Sequence, residues 1–221
     1  MQKIDKTLLL SSEYKKWEES MGELHNPYNS SNNRYYYDVV MNLLHCQRGV
    51  CAYTEICLCD EEYYQTGYWK GGKYRFEKPE FSSALDHFNP LLKKDKGWLW
   101  ENFFVVQKDI NDKHKRNKIV DDILKPDTPS YNPLALLEYD ELSHIFIANT
   151  DLDKSSQKRI NDMIEVLGIN LSWVRKNRKT HLQKIIQIIE SGGEWEHEAL
   201  RNHQFFTAFE MCRKKLQTQE N

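Results

Sequence analysis

The sequence predicts an α+β fold that is mainly helical, with a small core of strand, loop, strand and helix between two helical regions. Residues 83–88 suit a short strand that ends at Pro90, and residues 98–106 suit a strand or a loop that leads to one. Apolar residues recur at helical spacing on both sides of these runs. The predicted regions are an N-terminal helical region (1–48), a core (49–125) and a C-terminal helical region (126–221).

The N-terminal region contains one clear helix. Residues 1–24 follow helical spacing only loosely, and residues 26–33 are rich in Asn, Ser and Pro, which predicts a loop. Residues 35–46 place apolar side chains every three to four positions. This spacing predicts a helix that Gly49 ends.

The core is expected to begin with a β-prone segment at residues 50–54, followed by an aromatic insertion at 60–72. The two predicted strands come next, and residues 111–124 have helical content that stops before Pro126. The order strand, loop, strand, helix directs side chains from the end of the first strand and the start of the helix towards one place.

The C-terminal region is predicted to be helical after a turn-rich linker at 127–132 and a strand at 143–149. Asp153 or Ser155 is expected to cap one helix, and Ser172 a second, longer helix. Gly168 and Gly192 stand where these helices should end. The predicted helices cover residues 155–167, 172–191 and 194–216.

Composition limits the classes of function. The net charge is −2, which argues against a protein that coats nucleic acid by charge alone. No apolar run approaches the roughly 20 residues that span a bilayer, and the run from Leu8 to Leu10 is too short for a secretory signal. The five cysteines, an odd number, indicate reduced thiols in a cytosol. Cys51, Cys57 and Cys59, even with His45, fit no zinc pattern of paired cysteines.

Asp86 and His87 are the strongest candidates for chemistry. A neutral imidazole accepts a proton near pH 7, so His87 is the predicted general base that activates water. A carboxylate can hold the cation that neutralises charge on a phosphate, which makes Asp86 a predicted metal ligand. The alternatives are a structural histidine at a strand edge and a surface acid.

The remaining candidates follow His87 within about thirty residues. Asn102 is expected to orient the backbone around His87, the alternative being a turn cap. Asn111 offers an oxygen that suits Mg²⁺, and His114 lies one helical turn later on the same face, as a second ligand or a phosphate contact. Mn²⁺ or Ni²⁺ would also tolerate the imidazole. Which of Asn111 and His114 is the main metal ligand stays open.

Basic residues adjoin these candidates. Lys113, Lys115 and Arg116 are predicted to contact the phosphate backbone of a nucleic acid, DNA or RNA. The other interpretation is a solvated helix face.

The motifs together resemble a known family, the PtuB family of HNH endonucleases, which are the nuclease subunits of Septu anti-phage systems and also occur as retron-associated effectors. The likeness covers roughly residues 35–190. It is carried by Gln47, residues 51–55 (CAYTE), 86–90 (DHFNP) and 100–102 (WEN), Asn111, His114, and residues 164–170 (IEVLGIN) with Arg175 or Arg178.

The resemblance implies a ββα-metal HNH core and metal-dependent hydrolysis of phosphodiester bonds, of DNA by the family default and of RNA as the alternative. It also implies phage defence in a bacterial cytoplasm, beside a PtuA-like ABC-type ATPase. Relatives often carry two cysteine pairs that bind zinc. Here only Cys51 remains, and Thr54, Gln107 and Ile110 take the other places, so no structural zinc is predicted. A lysine commonly stands where this chain has His114.

Two other functions compete with the nuclease. One is a catalytically weak or inactive HNH-like adaptor that binds the ATPase, which the missing zinc ligands favour and the retained His87, Asn102 and Asn111 disfavour. The other is a helical interaction domain with a coincidental motif.

Overall fold

The structure, a computed structural model, describes residues 1–31, 33–77, 81–193 and 203–219. The fold is α+β and mainly helical, as predicted. The α-helices are α1 (Glu13–Ser20), α2 (Tyr36–Cys46), α3 (Glu61–Tyr64), α4 (Pro133–Leu136), α5 (Lys154–Val166), α6 (Ser172–Glu190) and α7 (Phe206–Gln219).

The strands form three separate antiparallel pairs. These are β1 (Trp69–Lys70) with β2 (Lys73–Tyr74), β3 (Ser83–His87) with β4 (Phe103–Gln107), and β5 (Leu137–Asp140) with β6 (Ile145–Ala148). In the central pair Asp86 lies opposite Phe104, and His87 lies opposite Phe103.

The chain divides into two compact units, here called the site unit and the helical unit. The site unit contains residues 4–51 and 58–120, and so combines most of the predicted N-terminal region with most of the predicted core. The helical unit contains residues 1–3, 52–57 and 121–221.

Helix α2 and strand β4 form the core of the site unit. The predicted apolar positions of α2 are buried, and Phe103 to Val106 of β4 are fully buried. Gln47, just after α2, replaces a third strand at the free edge of β4. Its side-chain oxygen accepts from the Val105 N–H at 2.9 Å, and its amide donates to the Val105 carbonyl at 2.8 Å. The backbone N–H and carbonyl of the buried Val105 are thereby satisfied, as buried backbone groups require.

An aromatic cluster fixes the segment that precedes β4. Trp17 of α1 stacks on Tyr35 with 5.0 Å between ring centroids and meets Trp98 edge-on at 5.6 Å. The Tyr14 hydroxyl donates to the Trp98 carbonyl. Glu18 accepts from the Trp100 N–H at 2.9 Å. Helix α1 therefore holds the backbone that leads into Asn102.

The helical unit is held by buried polar side chains that bond to backbone. Arg178 of α6 donates to the carbonyls of His144 at 2.9 Å and Ile169 at 2.7 Å. The Asn170 amide pairs with the Phe146 N–H and carbonyl at 2.9 and 2.7 Å. Asp153 caps α5, as predicted, by accepting from the N–H groups of residues 155 and 156.

Several predictions of local structure were wrong or incomplete. The β-prone residues 50–54 form no continuous strand: Val50 makes an isolated β-bridge and residues 52–54 form a turn. The Gly49 carbonyl, just before them, accepts from the N–H groups of Leu58 and Cys59. Ser172 is the first residue of α6, so Leu171 occupies the cap position instead, and its side chain makes no capping bond. Of the last predicted helix, residues 194–202 lie outside the described residues, and α7 begins at Phe206.

The predicted helical segment at 111–124 contains two short helical turns but no α-helix. A π-helical turn covers Ile110–Lys115, and a 3₁₀ turn follows at Asp122–Leu124.

Among the described residues, no helix combines the length and apolarity needed to cross a membrane.

Candidate active site

A cleft of about 410 Å³ opens in the site unit where β3 ends. It contains Asp86, His87 and Asn111 of the predicted site, with both cationic and acidic side chains around them. Its lining residues are Tyr28, Ser30, Tyr36, Ala84, Leu85, Asp86, His87, Pro90, Lys93, Asn111, Asp112, Arg116 and Asn117.

Asn102 organises the turn that follows His87. It is 2% exposed, and its side-chain oxygen accepts from the Asn89 N–H at 2.8 Å while its amide donates to the Asn89 carbonyl at 3.0 Å. Its own carbonyl accepts from the Phe88 N–H at 2.7 Å. These three bonds fix the backbone directly after His87, which is the geometry that an orienting role requires.

His87 has a defined tautomer. The residue is 7% exposed, and its Nε2 lies 2.8 Å from the Gly97 carbonyl oxygen. Because a carbonyl can only accept, Nε2 must carry the proton, which leaves Nδ1 of the neutral ring as the nitrogen that can accept one. Tyr28 meets the imidazole edge-on at 4.6 Å, and Phe103 lies at 4.8 Å.

The surroundings of His87 favour its neutral form. Burial, assisted by the positive charges of Lys93 and Lys115, lowers the pKa of His87 to about 4, and the bond to Gly97 only partly opposes this shift. The ring is therefore neutral at pH 7.

Gly97 is a functional position that the sequence prediction missed. A β-carbon there would lie 2.8 Å from the Lys93 carbonyl and 3.0 Å from the β-carbon of Tyr28. Only glycine lets the backbone carbonyl approach His87 in this packing. The one signal in the sequence is a glycine that ends a lysine-rich loop.

Asp86 is paired with a lysine. Asp86 is 2% exposed and Lys115 is 0% exposed. The Lys115 Nζ lies 3.1 Å from Oδ1 and 3.0 Å from Oδ2 of Asp86, and 2.8 Å from the His87 carbonyl oxygen. An ammonium group has three N–H donors, and these three oxygens match that number. Lys115 is therefore not placed for the predicted phosphate contact.

The π turn explains why Lys115, and not His114, stays near the face of the turn that carries Asn111. The Arg116 N–H bonds to the Asn111 carbonyl at 3.0 Å, five residues back, where an α-helix would bond four residues back. In an α-helix the third and fourth residues after Asn111 would both lie near its face, whereas the wider π turn keeps the fourth there and moves the third away. Asn111 lines the cleft, whereas Lys115 is buried and His114 is half-buried, and neither of these two is among the cleft residues.

The two other predicted phosphate contacts differ in position. Lys113 is 74% exposed, forms an ion pair with Asp109 at 2.9 Å, and does not line the cleft. Arg116 is exposed and lines the cleft. It has φ 50° and ψ −124°, a conformation that side chains with a β-carbon rarely adopt. Such strain is found more often at functional sites than elsewhere.

The cleft offers oxygen ligands that suit a divalent cation. Asp86, Asp112 and the amide oxygen of Asn111 share one cavity, and Mg²⁺ prefers such ligands. In the described part of the chain, no three His, Cys, Asp or Glu side chains are grouped as metal ligands, so a site here needs the asparagine. The donor set fits, although Asp86 is shared with Lys115.

Other cleft residues were not among the sequence candidates. Lys93 lies with its Nζ 5.2 Å from the centre of the Tyr28 ring, and both line the cleft with Asp112 and Asn117. Lys93 belongs to the loop between β3 and β4, whose sequence is rich in lysine at residues 93–96. The tyrosine comes from residues 26–33, whose composition predicts only a loop.

No protein-family model matches the chain, and no characterised protein matches it in sequence. The likeness to PtuB nucleases therefore rests on the motifs quoted above.

The Asp86–Lys115 pair generates a prediction about stability. Lys115→Met or Asp86→Asn alone should lower the free energy of unfolding by about 3–5 kcal/mol, since each leaves a buried charge without its partner. The double variant should recover most of this loss. Chemical denaturation of all four proteins measures the coupling, and additive losses in the double variant would show that the two charges do not stabilise each other.

The lowered pKa of His87 predicts a dependence of stability on pH. Above pH 6.5 the ring is neutral in both states; as the pH falls from 6.5 to about 4, only the unfolded chain gains the proton. The free energy of unfolding should therefore fall across this window, by on the order of 3 kcal/mol from this group. His87→Gln should lose that part of the slope. An NMR titration giving His87 a pKa near 6.5 would contradict the prediction.

Proposed function

We propose that the chain is a metal-dependent phosphodiesterase of the HNH type that cuts nucleic acid, and that the cleft is its active site. One observation supports this most strongly: His87 and Asp86 lie side by side at the end of β3, in a cavity with Asn111 and the cationic Lys93 and Arg116. A base, oxygen ligands and positive charge are the components that phosphodiester hydrolysis needs.

In this proposal His87 acts as the general base. A water molecule attacks the phosphorus, its proton passes to Nδ1 of His87, and the bond from phosphorus to the 3′ oxygen breaks. The leaving oxygen takes a proton from solvent. Asn102 positions His87 through the backbone of residues 88 and 89. A divalent cation held by Asp86 and Asn111 would supply stabilisation of negative charge on the phosphate, and Mg²⁺ suits these ligands best.

Substrate binding should also raise the low pKa of His87. A pKa of about 4 makes the free imidazole a weak base at pH 7. A phosphate in the cleft brings negative charge beside the ring and raises its pKa, because an opposite charge favours the protonated form. The base is therefore strongest when substrate is present.

A second function is favoured by the same ion pair. The Lys115 ammonium already neutralises Asp86, and His87 is buried with a low pKa, so the chain can also be a catalytically weak HNH-like adaptor. Its partner would then be the ABC-type ATPase that the resemblance implies. That partnership, a role in phage defence and a bacterial cytoplasmic location are predictions from the resemblance alone.

Cleavage assays test the proposal. Purified wild type should cut plasmid DNA or cellular RNA with Mg²⁺ or Mn²⁺, and not with EDTA. His87→Ala should lower the rate about 100-fold or more, as loss of a general base does. Asn102→Ala should lower it about tenfold or more through misplacement of His87. His45→Ala, a half-buried histidine of α2, is the matched control and should keep the wild-type rate.

The polymer that is cut identifies the substrate class. If neither polymer is cut under any metal condition, with or without the ATPase, while the chain still binds that ATPase, the adaptor function replaces the nuclease.

Arg116 gives a prediction that separates binding from folding. Arg116→Gly should lower the affinity for nucleic acid about tenfold and reduce the slope of its salt dependence by about 1, because one phosphate contact is lost. The fold should not suffer, since glycine adopts a positive φ without strain. Binding at several salt concentrations and thermal unfolding measure both effects. Unchanged affinity would exclude Arg116 from the interface.

A further inference from the structure

Lys115 contacts the cleft residues Asp86 and His87 without lining the cleft itself, and its position fits none of the roles given to the other charged residues. It is fully buried, so it cannot reach a nucleic acid, and its three donors face Asp86 and the His87 carbonyl. Yet Asp86 is the carboxylate that the proposed function assigns to a divalent cation. The Asp86 carboxylate thus pairs permanently with the Lys115 ammonium, and in the proposed function it would also bind a metal ion.

Sharing is chemically allowed but it weakens the metal site. A carboxylate has about four lone-pair directions, so Asp86 can accept from Lys115 and still offer an oxygen to a metal. The ammonium charge, 3.0 Å from that carboxylate, repels a second cation bound to it. The repulsion is only partly screened, because Asp86 and Lys115 are both buried.

Negative charge from a substrate offsets this repulsion. A phosphate in the cleft adds negative charge beside the metal position. Lys93 and Arg116, which line the cleft, can bind this phosphate. Thermodynamic linkage then requires that phosphate tightens metal binding and that metal tightens phosphate binding by the same factor.

We propose that the buried Lys115 ammonium acts as a permanent positive charge beside Asp86. It keeps the affinity of the cleft for a divalent metal low until nucleic-acid phosphate enters, and so couples the binding of metal and substrate. This inference rests on the proposed function and deepens it. Lys115 acts here as a positioning residue: it touches neither substrate nor the reacting atoms, and it acts through Asp86 and the backbone of His87.

Titration with Mn²⁺ tests this proposal without any measurement of cleavage. The background is His87→Ala, so that bound nucleic acid stays intact, and the loss of the free Mn²⁺ signal in electron paramagnetic resonance gives the dissociation constant. Lys115→Gln should bind Mn²⁺ about tenfold or more tightly than its Lys115 parent. The glutamine amide can still donate to oxygen, but it carries no charge.

The control is Lys118→Gln in the same background. Lys118 is exposed, follows three residues later, carries the same charge and does not line the cleft. Its Mn²⁺ affinity should stay within about twofold of the parent, as expected for a screened surface charge. Equal or weaker Mn²⁺ binding in a folded Lys115→Gln protein would overturn the proposal.

Coupling in the Lys115 parent provides a second test, and the measurement on this parent does not depend on whether Lys115→Gln folds. A saturating short duplex of DNA or RNA, whichever polymer the wild type cuts, should tighten Mn²⁺ binding about tenfold; inorganic phosphate replaces it if neither polymer is cut. The tightening should be smaller in Lys115→Gln. Independent binding of Mn²⁺ and the phosphate-bearing probe would overturn the proposal.

Asp86→Asn separates the failure of this inference from the failure of the proposed function. If Asp86→Asn binds Mn²⁺ as well as its parent, the cation lies elsewhere, and both the inference and the assigned metal ligands fail. If Asp86→Asn loses Mn²⁺ but Lys115→Gln leaves the affinity unchanged, only the inference fails.

Discussion

The buried contact of Lys115 with Asp86 and the His87 carbonyl is the interaction on which the rest of the site depends. It neutralises a carboxylate that is almost inaccessible to solvent, and it ties the π turn to the end of β3. Breaking such a pair on one side is expensive, because the remaining charge has no water to solvate it. The position of Asn111 and Arg116 at the cleft follows from this tie, since both belong to the turn or border it.

Two other constraints complete the site from the opposite side. Asn102 fixes the backbone after His87, and the Gly97 carbonyl fixes the ring itself. Both belong to the segment that α1 and its aromatic neighbours hold. His87 is thus held at its backbone and at its ring by different elements of the site unit. Such fixed geometry is what a positioned general base requires.

The sequence predicted those features of the fold that depend on residues close together in the chain. The spacing of α2, the Asp153 cap of α5, and the end of β3 before Pro90 each follow from a few neighbouring residues. The position of His87 beside Asp86 at a strand end was visible for the same reason. The π turn was not predictable: its sequence satisfies α-helical spacing equally well, and the Asp86–Lys115 pair that accompanies it joins residues 29 positions apart. The contact of His87 with Gly97 depends on tertiary packing in the same way.

In the proposed function this cleft directs water at a phosphodiester, with His87 as the base. The decisive measurement is cleavage in water enriched in the heavy oxygen isotope, followed by mass spectrometry of the product ends. Attack by water on the phosphorus should leave one heavy oxygen in a 5′-phosphate and an unlabelled 3′-hydroxyl. A 2′,3′-cyclic phosphate from RNA, an unlabelled 5′-phosphate, or the same products at the same rate from His87→Ala would contradict it.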